Sequence, residues 1–161
     1  MQWCVPTAED TERFGSRVAL TRPTDGALAI LYLEGDLGAG KTTLARGFLR
    51  GCGVSGLVRS PTYTLLEVYE TAAVSVLHLD LYRLRDPSEL ENLGLREWAR
   101  AGCVWLVEWP ERGIGGLPPP DLTFHLTGGA AGHEIAGRPC SALGDAWLRR
   151  MLAESGPAEL K

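Results

Sequence analysis

Apolar runs of strand length alternate along the chain with segments in which apolar residues recur at helical spacing. The runs at 27–33 and 103–107 are uninterrupted, which predicts two strands buried on both faces. Further strands are predicted at the end of 58–69 and at 74–81, 122–127 and 133–137. Helices are predicted at 8–20, 42–50, 86–101 and 142–153, the first of them capped by Thr7.

This alternation predicts an α/β fold with a mostly parallel central sheet, helices on both faces and small antiparallel additions. The two short strands near the C-terminus flank a pair of glycines and are expected to pair with each other. A length of 161 residues suits one domain spanning residues 1–161. The tail beyond about residue 156 is expected to be loose.

Charge and composition exclude several functional classes. The net charge of −4 argues against a protein that coats nucleic acid through bulk charge. The four cysteines form no C-x-x-C pair, so neither a zinc site nor a disulfide framework is indicated, and a reducing cytoplasm is expected. The N-terminus does not resemble a signal peptide, and no apolar run is long enough to cross a bilayer.

The segment from Gly35 to Thr42 reads GDLGAGKT and matches the pattern GxxxxGK[ST] in full. A strand is predicted before it and a helix after it, as a loop needs when its backbone N–H groups hold phosphate. Lys41 is expected to reach the β- and γ-phosphates, and the Thr42 hydroxyl to ligate Mg²⁺. The motif predicts a P-loop NTPase domain whose nucleotide-binding residues are Asp36, Leu37, Gly38, Ala39, Gly40, Lys41, Thr42 and Thr43.

Acids at the ends of two predicted strands are candidates for the catalytic and metal-binding machinery. Asp80 ends the strand at 74–81, and Glu108 follows the strand at 103–107. A phosphate loop needs such an acid on a neighbouring strand to hold its metal, and the residues alone leave both candidates open. Thr62 lies between the loop helix and the next strand, where nucleotide hydrolases carry a γ-phosphate switch.

The choice of nucleotide and of reaction follows from motifs that are missing. No Asp is followed three residues later by Gly, and no Asn-Lys-x-Asp occurs, so ATP is favoured over GTP. A small-molecule kinase is one alternative to an ATPase, with Arg83-Leu84-Arg85 as a candidate lid segment. The non-enzymatic alternative is a nucleotide-gated adaptor whose hydrolysis only resets binding.

Four motifs in this order resemble the bacterial TsaE (YjeE) family. They are the phosphate loop continuing into Thr43, Ser60-Pro61-Thr62-Tyr63, His78-Leu79-Asp80-Leu81-Tyr82-Arg83 and Val107-Glu108-Trp109-Pro110. The resemblance implies a cytoplasmic ATPase needed for threonylcarbamoyladenosine formation just 3′ of the tRNA anticodon. Such proteins act with TsaB and TsaD, and TsaD transfers the threonylcarbamoyl group. Contact with tRNA is then expected only through that complex.

The resemblance also implies roles for individual residues. Thr42 and Glu108 match Mg²⁺ ligands, and Asp80 matches a position needed for function, with orientation of water as its expected task. Trp109 matches a residue near the nucleotide, and Thr11 one beside the adenine. Where the family often has Gly-Arg-Glu, this chain has Gly132-His133-Glu134, so an imidazole that can stack on adenine replaces a fixed cation.

Overall fold

A computed structural model of the chain describes residues 1–58, 60–129 and 132–153. The strands are β1 (Gln2–Val5), β2 (Ala29–Glu34), β3 (Leu66–Glu70), β4 (Ser75–Asp80), β5 (Cys103–Glu108), β6 (Leu122–Gly129) and β7 (Gly132–Pro139). The α-helices are α1 (Ala8–Leu20), α2 (Lys41–Gly51) and α3 (Ala142–Ala153). Three 3₁₀ helices span Pro87–Leu93, Leu95–Trp98 and Pro110–Gly113. The tail expected to be loose after residue 156 lies outside the described residues.

The seven strands form one mixed sheet in the order β1-β7-β6-β2-β5-β4-β3. The central strands β6, β2, β5 and β4 are mutually parallel, and antiparallel pairs occur on both sides of them. The predicted α/β class is therefore confirmed, but three of the six strand pairs are antiparallel, so the antiparallel part is larger than the small additions expected. Strand β1 was not predicted, because four residues with only two buried side chains give too short a pattern to recognise.

The two faces of the sheet have different covers. On β2, Leu31 and Leu33 belong to the cluster that also contains the buried side chains of all three α-helices. Ile30 and Tyr32, on the opposite face, pack with residues of the 3₁₀ helices and their flanking loops, among them Leu90. The expectation of helices on both faces is thus right only in part, because the second face has 3₁₀ helices in place of an α-helix.

The predicted helix at 86–101 is wrong as one continuous element. The segment forms two 3₁₀ helices separated by Gly94, whose φ of 66° lies in the left-handed region. Its buried leucines, Leu90 and Leu95, are five residues apart, a spacing that does not place them on one face of an α-helix. Glycine at the break and widely spaced apolar residues favour short tight turns here.

Helices α1 and α2 touch through glycines. A Cβ on Gly47 would lie 2.1 Å from the carbonyl oxygen of Glu12, and one on Gly15 would lie 2.2 Å from that of Leu44. These distances leave no room for a methyl group between the two backbones. Helix α2 follows the glycine-rich loop directly, so this close packing fixes the helix on which the loop depends.

The four cysteines lie apart from one another in the fold. All four are free, and Cys52 and Cys103 are buried. Within the described residues, no helix combines the length and the apolar character that crossing a membrane requires.

Candidate functional site

The glycine-rich loop (residues 35–40) connects the end of β2 to the start of α2. Gly35, Gly38 and Gly40 have φ values of 129°, 81° and 97°, which side chains on L-residues disfavour. Gly40 is the N-cap of α2 and offers no side chain to its N–H groups. The loop therefore presents backbone donors and the positive end of a helix at one place, as anion binding requires.

Lys41, the first residue of α2, turns its side chain back over the loop. Its Nζ donates hydrogen bonds to the carbonyl oxygens of Gly35 (2.5 Å) and Asp36 (2.7 Å), and the residue is 4% exposed. Burial lowers the pKa of Lys41, while the nearby carboxylates, Glu108 first among them, act in the opposite direction. A buried ammonium group whose hydrogen bonds go to neutral carbonyl oxygens is available to an anion that enters the loop.

Glu108 ends β5 and meets the loop helix. The side chain of Thr42 is exposed, and its Oγ1 donates to Glu108 Oε2 at 2.8 Å. The other oxygen, Oε1, lies 2.8 Å from His78 Nε2, and both residues are 1% exposed. One carboxylate is thus held from two sides, by the hydroxyl of Thr42 and by a histidine on β4.

Asp80 lies beside Glu108 because the parallel strands β4 and β5 end in register. Its Oδ1 accepts a hydrogen bond from the backbone N–H of Tyr82, and its Oδ2 accepts one from Thr62 Oγ1 at 3.2 Å. Burial, with a smaller contribution from the charge of Glu108, raises the pKa of Asp80. The predicted switch threonine is therefore in contact with the predicted catalytic aspartate.

Aromatic rings close one side of the site. Trp109 follows β5 in the left-handed conformation, with φ 58°, and Lys41 Nζ lies 3.7 Å from the centre of its ring. Tyr82 packs against Trp109 at 4.9 Å between ring centres, and the guanidinium group of Arg112 lies over Tyr82. Loop, lysine and rings surround a cavity of about 190 Å³ lined by Leu37, Gly38, Gly40, Lys41, Thr42, Thr43 and Trp109.

His133 and Thr11 were both expected near the adenine of a bound nucleotide, and their positions in the structure differ. A Cβ on Gly40 would lie 3.6 Å from the imidazole of His133, so this ring packs against the loop. Thr11 is fully buried, and its hydroxyl donates to the carbonyl oxygen of Thr7. His133 therefore lies beside the loop and Thr11 is enclosed, and a contact of either residue with a base stays a prediction.

Sequence reasoning singled out most of the residues that meet here but assigned no function to His78. The spacing of His78 could have pointed to a role at the site. His78 and Asp80 are two residues apart on a strand, so their side chains share a face of the sheet. That face is the one on which apolar Val76 packs with the α-helices. A buried polar residue in an otherwise apolar series was the available clue.

The candidate kinase lid, Arg83-Leu84-Arg85, lies in the connection between β4 and the first 3₁₀ helix. The segment turns directly after β4, with Leu84 buried and its N–H bonded to the carbonyl of Leu81. Arg83 lies over the ring of Tyr63, 4.3 Å from its centre. Leu84 packs with Tyr32 and Leu90 on the face of the sheet covered by the 3₁₀ helices, and a lid role for the segment stays a prediction.

The residues present suit Mg²⁺ that is held jointly by the protein and a phosphate substrate. They suit a metal ion held by protein ligands alone less well. The described residues contain no group of three or more His, Cys, Asp or Glu side chains arranged to hold a metal ion. They do bring a hydroxyl, Thr42, and a carboxylate, Glu108, to one point beside a loop suited to phosphate. Mg²⁺ keeps several waters and takes few protein oxygens together with those of a phosphate substrate, so two protein oxygens at this point fit the ion.

Two cavities larger than the one at the glycine-rich loop lie elsewhere in the molecule. Cavity size therefore does not identify the candidate functional site. One of about 540 Å³ lies between β1 and α1, beside Trp3 and Phe14, and one of about 840 Å³ lies between the first two 3₁₀ helices and Ile114. Neither is lined by Lys41, Asp80 or Glu108. The smaller cavity is the one lined by the glycine-rich loop and the buried Lys41, and Thr42 in its lining contacts the strand-end acid Glu108.

Comparisons with known proteins point to one family. A family model described as "Threonylcarbamoyl adenosine biosynthesis protein TsaE" matches residues 5–135. A Haemophilus influenzae protein named "tRNA threonylcarbamoyladenosine biosynthesis protein TsaE" is 46% identical over 125 residues, which are 76% of this chain and 78% of that relative. A Rickettsia bellii protein of the same name is 37% identical over 126 residues, which are 78% of this chain and 85% of that relative. The crystal structure of Bacillus subtilis YdiB matches with a TM-score of 0.79 at 27% identity, covering 95% of this chain and 94% of that one.

Proposed function

The chain belongs to the TsaE family, and on that premise we propose that it is a Mg²⁺-dependent P-loop ATPase of tRNA modification. The proposed reaction converts ATP and water to ADP and phosphate. Its purpose is to support threonylcarbamoylation of the tRNA adenosine 3′ of the anticodon, with the transfer itself made by another protein. The relatives' names support the pathway, and the geometry of the loop supports the ATPase chemistry.

One observation carries the proposal: the hydrogen bond of 2.8 Å between Thr42 Oγ1 and Glu108 Oε2. It joins the threonine of a GxxxxGK[ST] loop to the acid that ends a neighbouring parallel strand. These two groups are the ones that hold Mg²⁺ in nucleotide hydrolases with such a loop. Their contact lies next to Lys41 and the N-terminus of α2, which supports a shared role in holding the metal of a bound nucleotide.

The loop residues are proposed to bind and orient the phosphates. Backbone N–H groups of residues 36–43 donate to phosphate oxygens, and Lys41 exchanges the carbonyl oxygens of Gly35 and Asp36 for the β- and γ-phosphates. Thr42 and Glu108 would hold Mg²⁺, which supplies positive charge across the phosphate oxygens as negative charge shifts toward the leaving group. The protein's contribution is position and preorganised charge.

Asp80 is proposed to orient the attacking water, with Thr62 as its switch partner. The pKa of this carboxylate is raised by burial and by Glu108, so it holds a proton more readily than an exposed aspartate. Thr62 already donates to Asp80 Oδ2, so movement of its segment changes the position of the carboxylate. An acceptor of this kind can take the proton that the water loses when it attacks the γ-phosphate.

We expect slow turnover by the protein alone and faster turnover with TsaB and TsaD. Arg83 and Arg112 lie over the rings of Tyr63 and Tyr82, and we expect neither to act as a cation on the phosphates while it stays there. Removing such an arginine from a nucleotide hydrolase slows hydrolysis strongly, so a partner that completes or orders the site raises the rate. We place the reaction in the cytoplasm, where ATP and tRNA are available, and expect tRNA to be met only through the partner complex.

The testing experiment is ATP turnover by the purified chain, alone and with TsaB plus TsaD, with Lys41→Ala as control. Slow turnover that rises with the partners and is lost in the variant supports the proposal. Turnover indifferent to the partners contradicts the assigned pathway, and stimulation by a phosphate acceptor favours a kinase. A Glu108→Ala protein that cannot hydrolyse ATP but still supports tRNA modification favours the adaptor.

A further inference from the structure

His78 is a buried histidine for which the proposed reaction gives no task. It lies on β4, two residues before Asp80, and is 1% exposed. Its Nε2 lies 2.8 Å from Glu108 Oε1. A carboxylate that holds Mg²⁺ only accepts hydrogen bonds, so under the proposed function the ring is the donor in this contact. The donor is therefore aimed at the residue proposed to hold Mg²⁺.

The two oxygens of Glu108 are fixed by partners on different elements. Thr42 Oγ1, on α2, donates to Oε2, while His78 Nε2, on the neighbouring strand, lies 2.8 Å from Oε1. A hydrogen bond to one oxygen of a ligating carboxylate sets the direction in which the other points. Since Glu108 is 1% exposed, little space remains for water to replace the histidine.

The second ring nitrogen of His78, Nδ1, is further evidence that the histidine serves its contact with Glu108 and not the stability of the fold. His78 Nδ1 is buried and has no hydrogen-bond partner among the described residues. A buried polar atom without a partner lowers stability, so the fold alone favours an apolar side chain at this position. Val76, two residues earlier on the same face, is apolar and fully buried.

We infer that His78 is a positioning residue that orients Glu108, so that Oε2 and the Thr42 hydroxyl together face Mg²⁺. The inference rests on the proposed function and deepens it, because it assigns an outer partner to the metal ligand. His78 acts only through Glu108 and touches neither phosphate nor metal. Loss of the His78 side chain is expected to weaken Mg²⁺ binding, while the affinity of the loop for nucleotide without Mg²⁺ stays unchanged.

The test uses two substitutions of matched length, His78→Gln and His78→Met. Glutamine carries an amide donor near the position of Nε2, whereas methionine has similar length and no donor. MgCl₂ is titrated into each protein with a fluorescent ADP derivative, and affinity for the same probe is measured in EDTA. We expect His78→Met to raise the Mg²⁺ midpoint about tenfold and His78→Gln to restore it to within about threefold. Affinity in EDTA is expected to change by less than about twofold in both variants.

Other outcomes distinguish this inference from the proposed function. An unchanged Mg²⁺ midpoint in His78→Met, or equal losses with and without Mg²⁺ in both variants, overturns the positioning role alone. Binding by the unmodified chain that ignores Mg²⁺ overturns the proposed function as well. Where a variant does not fold, nitrogen-15 spectra of the unmodified chain decide. A proton on Nε2 whose signal moves on addition of MgADP supports the inference, and a ring protonated only on Nδ1 overturns it.

Discussion

The indole ring of Trp109 covers the ammonium group of Lys41, with Nζ 3.7 Å from the ring centre. The ring faces the charge because Trp109 takes the left-handed backbone conformation directly after β5. This conformation costs a non-glycine residue about 1–2 kcal/mol. The contacts with Lys41 on one side and Tyr82 on the other offset that cost.

The contact makes Trp109 a reporter of phosphate binding. ADP draws the Lys41 ammonium toward its phosphates and away from the ring, so tryptophan emission is expected to change on titration with MgADP. The measurement is steady-state fluorescence of the unmodified chain and of Trp109→Phe. Trp3, Trp105 and Trp147 are buried away from the cavity and should be silent. An equal change in Trp109→Phe would contradict the assignment.

The hydroxyl of Thr42 is expected to be essential for the Mg²⁺-dependent part of activity. Thr42→Val removes the donor to Glu108 with little change in shape, whereas Thr42→Ser retains it. We expect turnover at fixed MgATP to fall about a hundredfold in the valine variant and to stay within about threefold in the serine variant. Steady-state phosphate release measures both, and similar losses in the two variants would exclude the hydroxyl as the cause.

Asp80 gives a pH-dependent prediction for stability. Because burial and Glu108 raise its pKa in the folded state, the folded protein binds a proton there more tightly than the unfolded chain. The stabilising effect of that proton is present below the unfolded pKa and is lost as pH rises through the folded pKa. Asp80→Asn is therefore expected to raise Tm by about 2–4 °C near pH 8 and to gain less near pH 4.

Thermal unfolding without Mg²⁺ checks the Asp80 prediction, because a bound cation would itself stabilise the carboxylate. The same substitution removes the group proposed to orient water, so turnover should fall while stability rises. A variant less stable than the unmodified chain at both pH values would show that the hydrogen bonds from Tyr82 and Thr62 matter more than the buried charge.

The contact between α1 and α2 predicts a destabilising substitution far from the site. Gly47→Ala puts a methyl group 2.1 Å from the carbonyl oxygen of Glu12, and two helix backbones must separate to admit it. We expect a loss of about 2–4 kcal/mol in the free energy of unfolding, measured in urea. Gly129→Ala is the control, since its nearest atom is 3.5 Å away, and a change within about 0.5 kcal/mol is expected there.

The sequence predicted the centre of the fold and of the site because both depend on local signals. The uninterrupted apolar runs marked β2 and β5, and the glycine-rich motif identified the loop between β2 and α2. The strand-end acids Asp80 and Glu108 were found because parallel strands bring their carboxyl ends to one edge. Whether they bind nucleotide and metal stays a prediction.

What the sequence could not supply depends on partners distant in the chain. His78 gave no chemical signal by itself, because its role depends on Glu108, thirty residues away. Strand β1 exists only through pairing with β7, at the other end of the chain. The 3₁₀ helices replaced one α-helix because Gly94 and the wide leucine spacing outweighed the helical start at Asp86.

The register of the central strands also has a consequence for how the chain acquires its shape. Ala29 of β2 pairs with Val104 of β5, and Leu31 pairs with Leu122 of β6. Strand β2 therefore cannot pair on either side until segments more than seventy residues later in the chain are available. Long-range parallel pairing is a slow step in folding, because loop closure precedes any gain from contact. The phosphate loop lies at the end of β2 and reaches its final form only after that step. In refolding experiments, helical signal should therefore return before the capacity to bind nucleotide.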